Sequence, residues 1–186
     1  MVLGLMLLAG AVGLFLYNQN ENKAAEENSN HMIQKMVVEI EKKQQEEVWI
    51  DPHQKEMKEM QIDGEGYVGY LSIPAIHRQL PIRAQWSYPN LKNSPCRYYG
   101  SVHTDDLVIA AHNYKSHFGN IKNLKMGERI IFTDVEGKVY EYEAVEAVVL
   151  GPEEVEVLTN GEFELSLFTC TYDGSSRFVL RCAKVI

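Results

Sequence analysis

From residue 67 to the end of the chain, short apolar runs alternate with turn residues, and this pattern constrains the fold more than any other feature. Several runs alternate apolar and polar side chains with the period of two that is typical of β-strands. Between them, only residues 116–124 look helical. About eight short strands with so little helix predict a mainly β fold, closed as a barrel or a sandwich rather than an α/β sheet. The runs are YVGYLSI, LPIR, LVIAAH, ERIIFTD, KVYEYEAVEAVVL, ELSLFTC and RFVLRCAKVI.

The first 17 residues, MVLGLMLLAGAVGLFLY, carry no charge and almost no polar side chain. As an α-helix this segment is ~26 Å long, close to the ~30 Å thickness of the hydrocarbon core of a bilayer. A cleaved signal peptide is the alternative, but the basic n-region is absent and the small-x-small cleavage site is weak. We therefore predict a single-pass membrane anchor over residues 1–17, with the remainder of the chain outside the cell.

Residues 18–66 form an acidic connector, with 12 acidic and 6 basic side chains. Its first part, residues 18–30, is polar and lacks β-branched side chains, which predicts a flexible spacer. Apolar side chains then recur with helical spacing over residues 31–60, which predicts a stalk of two helical pieces separated at Pro52. A Gly-containing turn marks the boundary to the β domain that begins at residue 67.

The charge distribution excludes one broad class of function. The chain carries a net charge of −8, and from residue 67 onward it has 14 acidic and 12 basic side chains. Nucleic-acid binding depends on clustered Lys and Arg side chains that neutralise phosphates, and this near-neutral domain behind an acidic leader has no such cluster. Three cysteines without a C-x-x-C pair also do not match a metal site.

Three residues of different chemistry lie at the ends of predicted strands. Cys170 closes one strand, His112 closes another, and Arg177 opens the last. Singly, each has an ordinary explanation: a small core side chain, a hydrogen-bonded surface imidazole, and a salt-bridging arginine at the barrel edge. Together they supply what cysteine acyl transfer needs: a thiolate, a proton donor for the leaving amine, and a cation near the growing oxyanion. We therefore predict that Cys170 is the nucleophile of an acyl-transfer reaction.

The strings around these residues resemble the signatures of the sortase family. The string SLFTC, from Ser166 to Cys170 and followed by Arg177, is similar to the family's TLxTC…R signature, with Ser in place of the usual Thr. LVIAAH is similar to the strand that carries the family's catalytic histidine, with Ala111 where Gly is common. YVGYLSIP and LPI resemble the opening strands of the family. In chain order, the resemblance covers residues 67–186.

This resemblance implies an eight-stranded sortase β-barrel and gives each catalytic residue a role. Cys170 would form a thioester with a sorting-signal peptide of the LPxTG type. His112 would protonate the leaving amine and then deprotonate the incoming one, and Arg177 would stabilise the oxyanion. The acceptor amine would belong to a peptidoglycan precursor or to a lysine of a pilin subunit. The exchange requires no cofactor.

Finer expectations concern the substrate and the subclass. Thr169, Asn113 and Tyr172 adjoin the catalytic residues and are predicted to contact the substrate. The strings WSYPN and YKSHFGN are more similar to class B-type or clostridial-type sortases than to the housekeeping class. The string DPH at residues 51–53 resembles part of the lid motif of pilin-polymerising sortases, but His stands where an aromatic anchor is expected. A helix break in the stalk is therefore favoured there.

Several alternatives stay open at this point. A cysteine hydrolase on the same scaffold would pass the acyl group to water, whereas a non-catalytic β-domain would only bind a surface partner. His103 and His117 are alternative bases, although both lie among polar loop residues and neither closes a strand. Cys96 and Cys182 either form a disulfide or, as we expect, remain buried thiols. Arg181 lies on the same face of the last predicted strand as Arg177, so it is an alternative to Arg177 as the site arginine.

Overall fold

The computed structural model of the protein describes residues 2–44, 54–171 and 174–185. Within these ranges the chain forms a long helix α1 (Val2–Gln44), a short helix α2 (Tyr88–Asn93) and 3-10 turns at Pro74–Ile76, Ile121–Asn123 and Glu154–Thr159. The strands are β1 (Met60–Ile62), β2 (Glu65–Ile73), β3 (Arg78–Arg83), β4 (Cys96–Tyr99), β5 (Leu107–Ala110), β6 (Arg129–Asp134), β7 (Val139–Leu150), β8 (Leu165–Cys170) and β9 (Arg177–Lys184).

Eight of the strands close into a barrel. Their order is β2-β3-β4-β5-β8-β9-β7-β6, and β6 pairs back onto β2, with Asp134 opposite Gly69. The β3–β4 and β5–β8 pairs are parallel, and the other pairs are antiparallel. The three-residue β1 extends the sheet beside the start of β2, with Met60 opposite Tyr67. The predicted closed, eight-stranded β-barrel is confirmed.

The closure of the barrel at β2 depends on a glycine. Gly69 has a φ of 152°, and a Cβ at this position would lie 2.2 Å from the carbonyl oxygen of Thr133 in β6. The register between β2 and β3 also shifts between Tyr67 and Gly69. A residue without a side chain therefore allows β2 to bulge and to approach β6 closely.

Apolar side chains fill the barrel and also cover part of its outside. The inner cluster includes Leu107 and Ile109 of β5 together with Leu165 and Leu167 of β8, and full burial of each such side chain contributes about 1.5–3 kcal/mol. A second cluster lies on the outer faces of the same strands, where Leu158 of a 3-10 turn covers them. Because β5 is buried on both faces, its sequence LVIA is apolar throughout.

The prediction of a flexible spacer over residues 18–30 is wrong, because this segment is part of α1. Its Ala, Glu, Gln and Lys residues are good helix formers. Contacts with the barrel add to this preference: Ala25 and Ser29 are buried, and the guanidinium of Arg78 donates to Glu26 at 2.6 Å. Composition alone does not reveal these tertiary contacts, which hold the helix against the barrel.

The predicted stalk over residues 31–60 is only partly helical. Within the described residues the helix ends at Gln44, and Met60 already begins β1, so the sheet starts before residue 67. The apolar stripe of the helix packs on the barrel itself, where Met36 and Ile40 meet the β1 side chains and Val135. The helix break predicted at Pro52 lies outside the described residues. In the predicted helix over residues 116–124, the regular part is one 3-10 turn.

Candidate active site

Strand pairing brings Cys170 and Arg177 together. Cys170 is the last residue of β8 and lies opposite Arg177, the first residue of β9, in antiparallel register. Its side chain is exposed on the outer face of the barrel, the face that Phe168 also occupies two residues earlier. The guanidinium of Arg177 donates to the carbonyl oxygens of Gly174 and Ser176 at 3.3 and 3.1 Å, which holds it beside the connecting turn.

The parallel pairing of β5 with β8 positions His112. Ala110 lies opposite Phe168, and the amide of Ala111 donates to the carbonyl of Phe168 at 3.1 Å. In a parallel pair the two chains advance together, so the next two residues of each chain lead to His112 and Cys170. The neighbouring strand ends predicted from the sequence are thus adjacent in the fold.

His112 and Cys170 line one cavity of about 1090 Å³ on the outer surface of the barrel. The loop residues Asn113, Tyr114 and Lys115 form part of the same wall. The opposite wall belongs to α1, through residues between 15 and 26. Arg177 is not among the described residues that line this cavity, and its guanidinium donates to the turn carbonyls.

The imidazole of His112 is held on two sides. Its Nδ1 lies 3.0 Å from Oδ1 of Asn113, and its ring stacks on Tyr114 with 4.0 Å between centroids and 11° between planes. When Nδ1 carries the proton and donates to Asn113, Nε2 remains as the nitrogen that is available for proton exchange. Burial lowers the pKa of His112 from its ordinary value, and the hydrogen bond with Asn113 opposes that shift.

Tyr114 links this site to α1 and was missed by sequence reasoning. Its hydroxyl donates to Oε2 of Glu21 at 3.3 Å, although the two residues are 93 positions apart in the chain. Burial, followed by the Glu21 carboxylate, raises the pKa of Tyr114 to about 12, so the hydroxyl keeps its proton as a donor. No local sequence pattern signals a contact over such a separation.

The loop that carries His112 requires a glycine at its end. The amide of Phe118 donates to the carbonyl of His112 at 3.2 Å, and the amide of Gly119 donates to Tyr114 at 2.8 Å. A Cβ on Gly119 would lie 2.5 Å from the carbonyl oxygen of Asn113 and 2.8 Å from that of Tyr114. Real Cβ atoms do not approach backbone this closely, so any larger residue displaces the loop.

The predicted substrate-binding residues have different surroundings. Thr169 points to the inside of the barrel, and its buried Oγ1 has no hydrogen-bond partner among the described atoms. Thr169, Asn113 and Cys170 all line a second cavity of about 140 Å³, which Phe118 and Gly119 also border. Tyr172 lies outside the described residues. Contact of Thr169 and Asn113 with a substrate stays a prediction.

The alternative bases, His103 and His117, do not line the main cavity. His117 is fully buried, neither ring nitrogen has a hydrogen-bond partner among the described residues, and burial lowers its pKa to about 4. His103 makes an edge contact with the ring of Tyr140, at 6.4 Å between centroids. Of the three histidines considered as the base, only His112 lines the cavity with Cys170 in the described part of the chain.

The other two cysteines are buried free thiols, as expected from the sequence. Burial raises the pKa of the Cys96 thiol to about 11, and it raises the pKa of Cys182 as well. Cys182 lies in the inner cluster of the barrel, on the opposite face of β9 from Arg177 and Arg181. Cys170 is therefore the exposed thiol of the chain.

Arg181, the second arginine of β9, is held by contacts with neighbouring side chains. Arg181 pairs with Glu146 at 2.9 Å and lies over the ring of Phe163 at 4.6 Å, which supports the choice of Arg177 as the site arginine.

Across residues 2–44, 54–171 and 174–185, no group of three or more His, Cys, Asp or Glu side chains is placed to hold a metal ion.

Comparisons with known proteins agree on one family. The family model of the sortase domain matches residues 71–185. Sortase A of Bacillus anthracis is 27% identical over 137 residues, which cover 69% of this chain and 65% of that relative's length. The crystal structure of sortase C1 from Streptococcus agalactiae is 25% identical, covers 68% of this chain and 71% of its own, and gives a TM-score of 0.58.

Two further solved structures share the fold over more of the chain. Sortase C of Streptococcus pneumoniae is 18% identical with a TM-score of 0.62, over 86% of this chain and 97% of its own. Sortase A of Corynebacterium diphtheriae is 19% identical with a TM-score of 0.60, over 94% of this chain and 96% of its own. The class B-type or clostridial-type subclass stays a prediction. The family model, which covers more than half of the sequence, together with the barrel and the relatives, shows that this chain belongs to the sortase family.

Proposed function

We propose that the protein is a membrane-anchored cysteine transpeptidase that acts on sorting-signal peptides. Members of the sortase family are cysteine transpeptidases. The observation that carries the proposal is the exposed thiol of Cys170 in one cavity with His112, while Arg177 lies opposite Cys170 on the next strand. A non-catalytic surface-binding domain has no use for this combination of groups.

The first half-reaction cleaves the peptide. His112 takes the proton of the Cys170 thiol, and the sulfur attacks the carbonyl carbon of the scissile peptide bond. Burial lowers the pKa of His112 and so favours the neutral imidazole, which is the form that accepts the thiol proton. Arg177, opposite Cys170 on the next strand, exchanges its hydrogen bonds with the turn carbonyls for the negative oxygen of the tetrahedral intermediate and stabilises it. The C–N bond then breaks as His112 returns the proton to the leaving amine, and a thioester on Cys170 remains.

The second half-reaction transfers the acyl group. An incoming amine attacks the thioester carbonyl while His112 accepts one of its protons. The C–S bond breaks, a new amide is released, and the imidazolium returns its proton to the Cys170 sulfur. Every proton and electron pair is accounted for by these groups and the two substrates, so the exchange requires no cofactor. A hydrolase would follow the same path with water in place of the amine.

The surface beside Cys170 favours a peptide with apolar residues ahead of the cleaved bond. Phe168 shares the strand face of Cys170, and the partly buried side chains of Leu91, Tyr98 and Leu150 pack around its cluster. A donor of the LPxTG type has leucine and proline on that side. Sortase C from Streptococcus pneumoniae has specificity for pilin substrates. For this chain we propose an acceptor amine of either a peptidoglycan precursor or a pilin lysine.

The N-terminal part of α1 supports a position at the cell membrane. It is long and apolar enough to span a bilayer, and none of the side chains in its apolar window is buried by the protein. We propose that residues 1–17 form a single-pass anchor, that residues 18–66 connect it to the barrel through the packed helix, and that the catalytic domain of residues 67–186 lies outside the cell.

Product analysis tests the proposed reaction. The full-length protein in detergent is incubated with an LPxTG-type peptide, with and without triglycine, and the products are identified by mass spectrometry. A transpeptidase yields the peptide joined to triglycine. Release of the free acid in equal yield with and without triglycine supports the hydrolase instead. A folded protein that produces neither product contradicts both reactions.

A further inference from the structure

The apolar anchor and one wall of the catalytic cavity belong to the same uninterrupted helix. Phe15 and Tyr17, at the end of the apolar segment, line the cavity together with Cys170, and so does Glu21 one turn later. α1 has no break between these residues, since it is helical from Val2 to Gln44. The position of the anchor in a bilayer therefore fixes the height of the catalytic cavity above it.

Three polar contacts set the axial level of the site along α1. Glu21 accepts the hydroxyl proton of Tyr114, whose ring stacks on His112. One residue further, the amide of Ser116 donates to Oδ1 of Asn22 at 2.9 Å. The third contact is the ion pair between Glu26 and the guanidinium of Arg78. The imidazole of His112 thus lies close to the level of Glu21, which is only about 6 Å beyond Tyr17 along the helix axis.

This height matches the headgroup layer of a bilayer. The polar layer on each side of the hydrocarbon core is roughly 5–7 Å thick. The apolar side chains up to Leu16 are exposed on the protein, and Tyr17 is an aromatic residue of the kind that concentrates at the membrane interface. With Tyr17 at the outer edge of the hydrocarbon core, the cavity of His112 and Cys170 opens among the headgroups.

The charges around the cavity suit an anionic surface. Lys23, Lys92 and Lys115 line it, and all three are exposed. Of the acidic residues on the same wall, Glu26 is neutralised by the ion pair with Arg78, whereas Glu21 accepts the Tyr114 hydroxyl and keeps its charge. Lys23 forms an exposed ion pair with Glu27 at 3.9 Å, so Lys92 and Lys115 provide the excess of positive charge. Basic side chains next to a membrane-spanning helix are attracted to anionic lipid headgroups.

We propose that the catalytic cavity docks on the outer surface of the membrane, with its lysine rim against anionic lipid headgroups. This inference rests on the proposed anchoring of α1 and deepens the proposed function. A site at this height receives reacting groups that are held at the membrane.

Fluorescence quenching by headgroup-labelled lipid tests the docking. The full-length protein is reconstituted in vesicles of phosphatidylcholine and phosphatidylglycerol that contain a nitroxide on the headgroup. Cys170 carries a thiol-reactive bimane, and the buried Cys96 and Cys182 stay unlabelled. The matched control is Lys138→Cys in a Cys170→Ser chain. Lys138 is exposed beside Val135, which packs at the level of Met36 and Ile40, about 30 Å beyond Tyr17.

We expect several-fold stronger quenching of the bimane at Cys170 than of the bimane at the Lys138→Cys control position. A second variant carries seven helix-forming residues inserted after Tyr17, which raises the barrel by ~10 Å and nearly preserves its facing. In this variant the quenching at Cys170 falls to the control level. Transfer to a vesicle-borne amine then falls relative to transfer to soluble triglycine by the same variant.

Two negative outcomes are distinguishable. If the protein floats with the vesicles but Cys170 is quenched no more than the control, the docking is wrong and the anchored enzyme stands. If the protein does not float with the vesicles, the anchor itself is wrong, and the docking fails with it. Transpeptidation of soluble substrates in detergent reports the chemistry independently of both.

Discussion

The ring of Tyr114 lies face to face on the imidazole of His112, with 4.0 Å between their centroids. The same tyrosine donates a hydrogen bond to Glu21, so its position is fixed from the opposite side by α1. Stacking shields one face of the imidazole from water, and burial is the main cause of the lowered pKa of His112. A contact outside the three proposed catalytic residues therefore contributes to the burial that lowers the pKa of His112, the proposed proton carrier.

Replacement of Tyr114 shifts the pH dependence of the reaction. In Tyr114→Ala the imidazole is more hydrated, so its pKa rises and the limb of the kcat/KM profile that belongs to His112 moves to higher pH. The imidazole of His112 also loses its stacking partner and is less well positioned, so we expect kcat to fall about tenfold. Tyr114→Phe is the matched control, because it keeps the stack and loses only the bond to Glu21. Identical profiles for the wild type and Tyr114→Ala would contradict this role.

A methyl group at Gly119 displaces the loop that holds His112. The new Cβ would lie 2.5 Å from the carbonyl oxygen of Asn113, and that backbone must move. A shift of about 1 Å in a catalytic group can cost 10²-fold in rate, and we expect a loss of that order in kcat for Gly119→Ala. Gly151→Ala is the control, since the nearest atom to its Cβ is the flexible carboxylate of Glu154 at 3.2 Å. Equal activity of both variants would show that Gly119 does not position the loop.

The sequence predicts the parts of the site that depend on local pattern. Cys170 closes one strand and Arg177 opens the next, so the sequence places both at the ends of consecutive strands, and the structure shows them opposite each other. His112 follows an apolar strand whose burial on both faces gives a clear signal. The strand β4 was not singled out, because four residues with mixed exposure show too little periodicity.

The parts that depend on long-range contacts are not predictable in this way. The helix over residues 18–30 is stabilised by packing on the barrel. The polar composition of this segment does not reveal that packing, and taken alone it indicates a spacer. The role of α1 as a wall of the cavity arises from contacts such as Tyr114 with Glu21, which join distant parts of the chain. Gly119 is required because neighbouring backbone carbonyls lie too close for a Cβ atom. The presence of a glycine in a loop does not by itself reveal that close approach.

Loss of the Arg177 guanidinium weakens oxyanion stabilisation. We expect Arg177→Ala to lower kcat by about 10²–10³-fold with a smaller change in KM, since the charge acts mainly in the transition state. Arg177→Lys restores little of this, because lysine lacks the planar fork. The matched control is Arg181→Ala on the same strand face, where the arginine pairs with Glu146. If Arg181→Ala loses more kcat than Arg177→Ala at equal folded fraction, the assignment of the two arginines is reversed.

The buried His117 makes the fold less stable in acid. Its pKa is about 4 in the folded chain, mainly because of burial, and rises to its ordinary value on unfolding. The unfolded chain therefore binds an extra proton between about pH 6.5 and 4, so stability falls as the pH falls through this window. The expected loss is on the order of 3 kcal/mol. His112 contributes in the same direction, since its pKa is also lowered.

Urea unfolding at pH 7 and pH 5 measures the part of this loss that develops above pH 5, which is about 2 kcal/mol. In His117→Leu most of the difference between the two pH values disappears, and a smaller difference from His112 remains. A pH dependence that is unchanged in His117→Leu would show that other groups cause it.

Intact-mass analysis of the full-length protein with an LPxTG-type peptide tests most directly whether Cys170 is the nucleophile. We predict an acyl adduct that maps to Cys170, is released by hydroxylamine as expected for a thioester, and is absent from Cys170→Ala. His112→Ala, with the thiol intact, accumulates it far more slowly. An adduct on Cys96 or Cys182, or a folded protein that forms no adduct while it still converts the peptide, would contradict the assignment of Cys170 as the nucleophile.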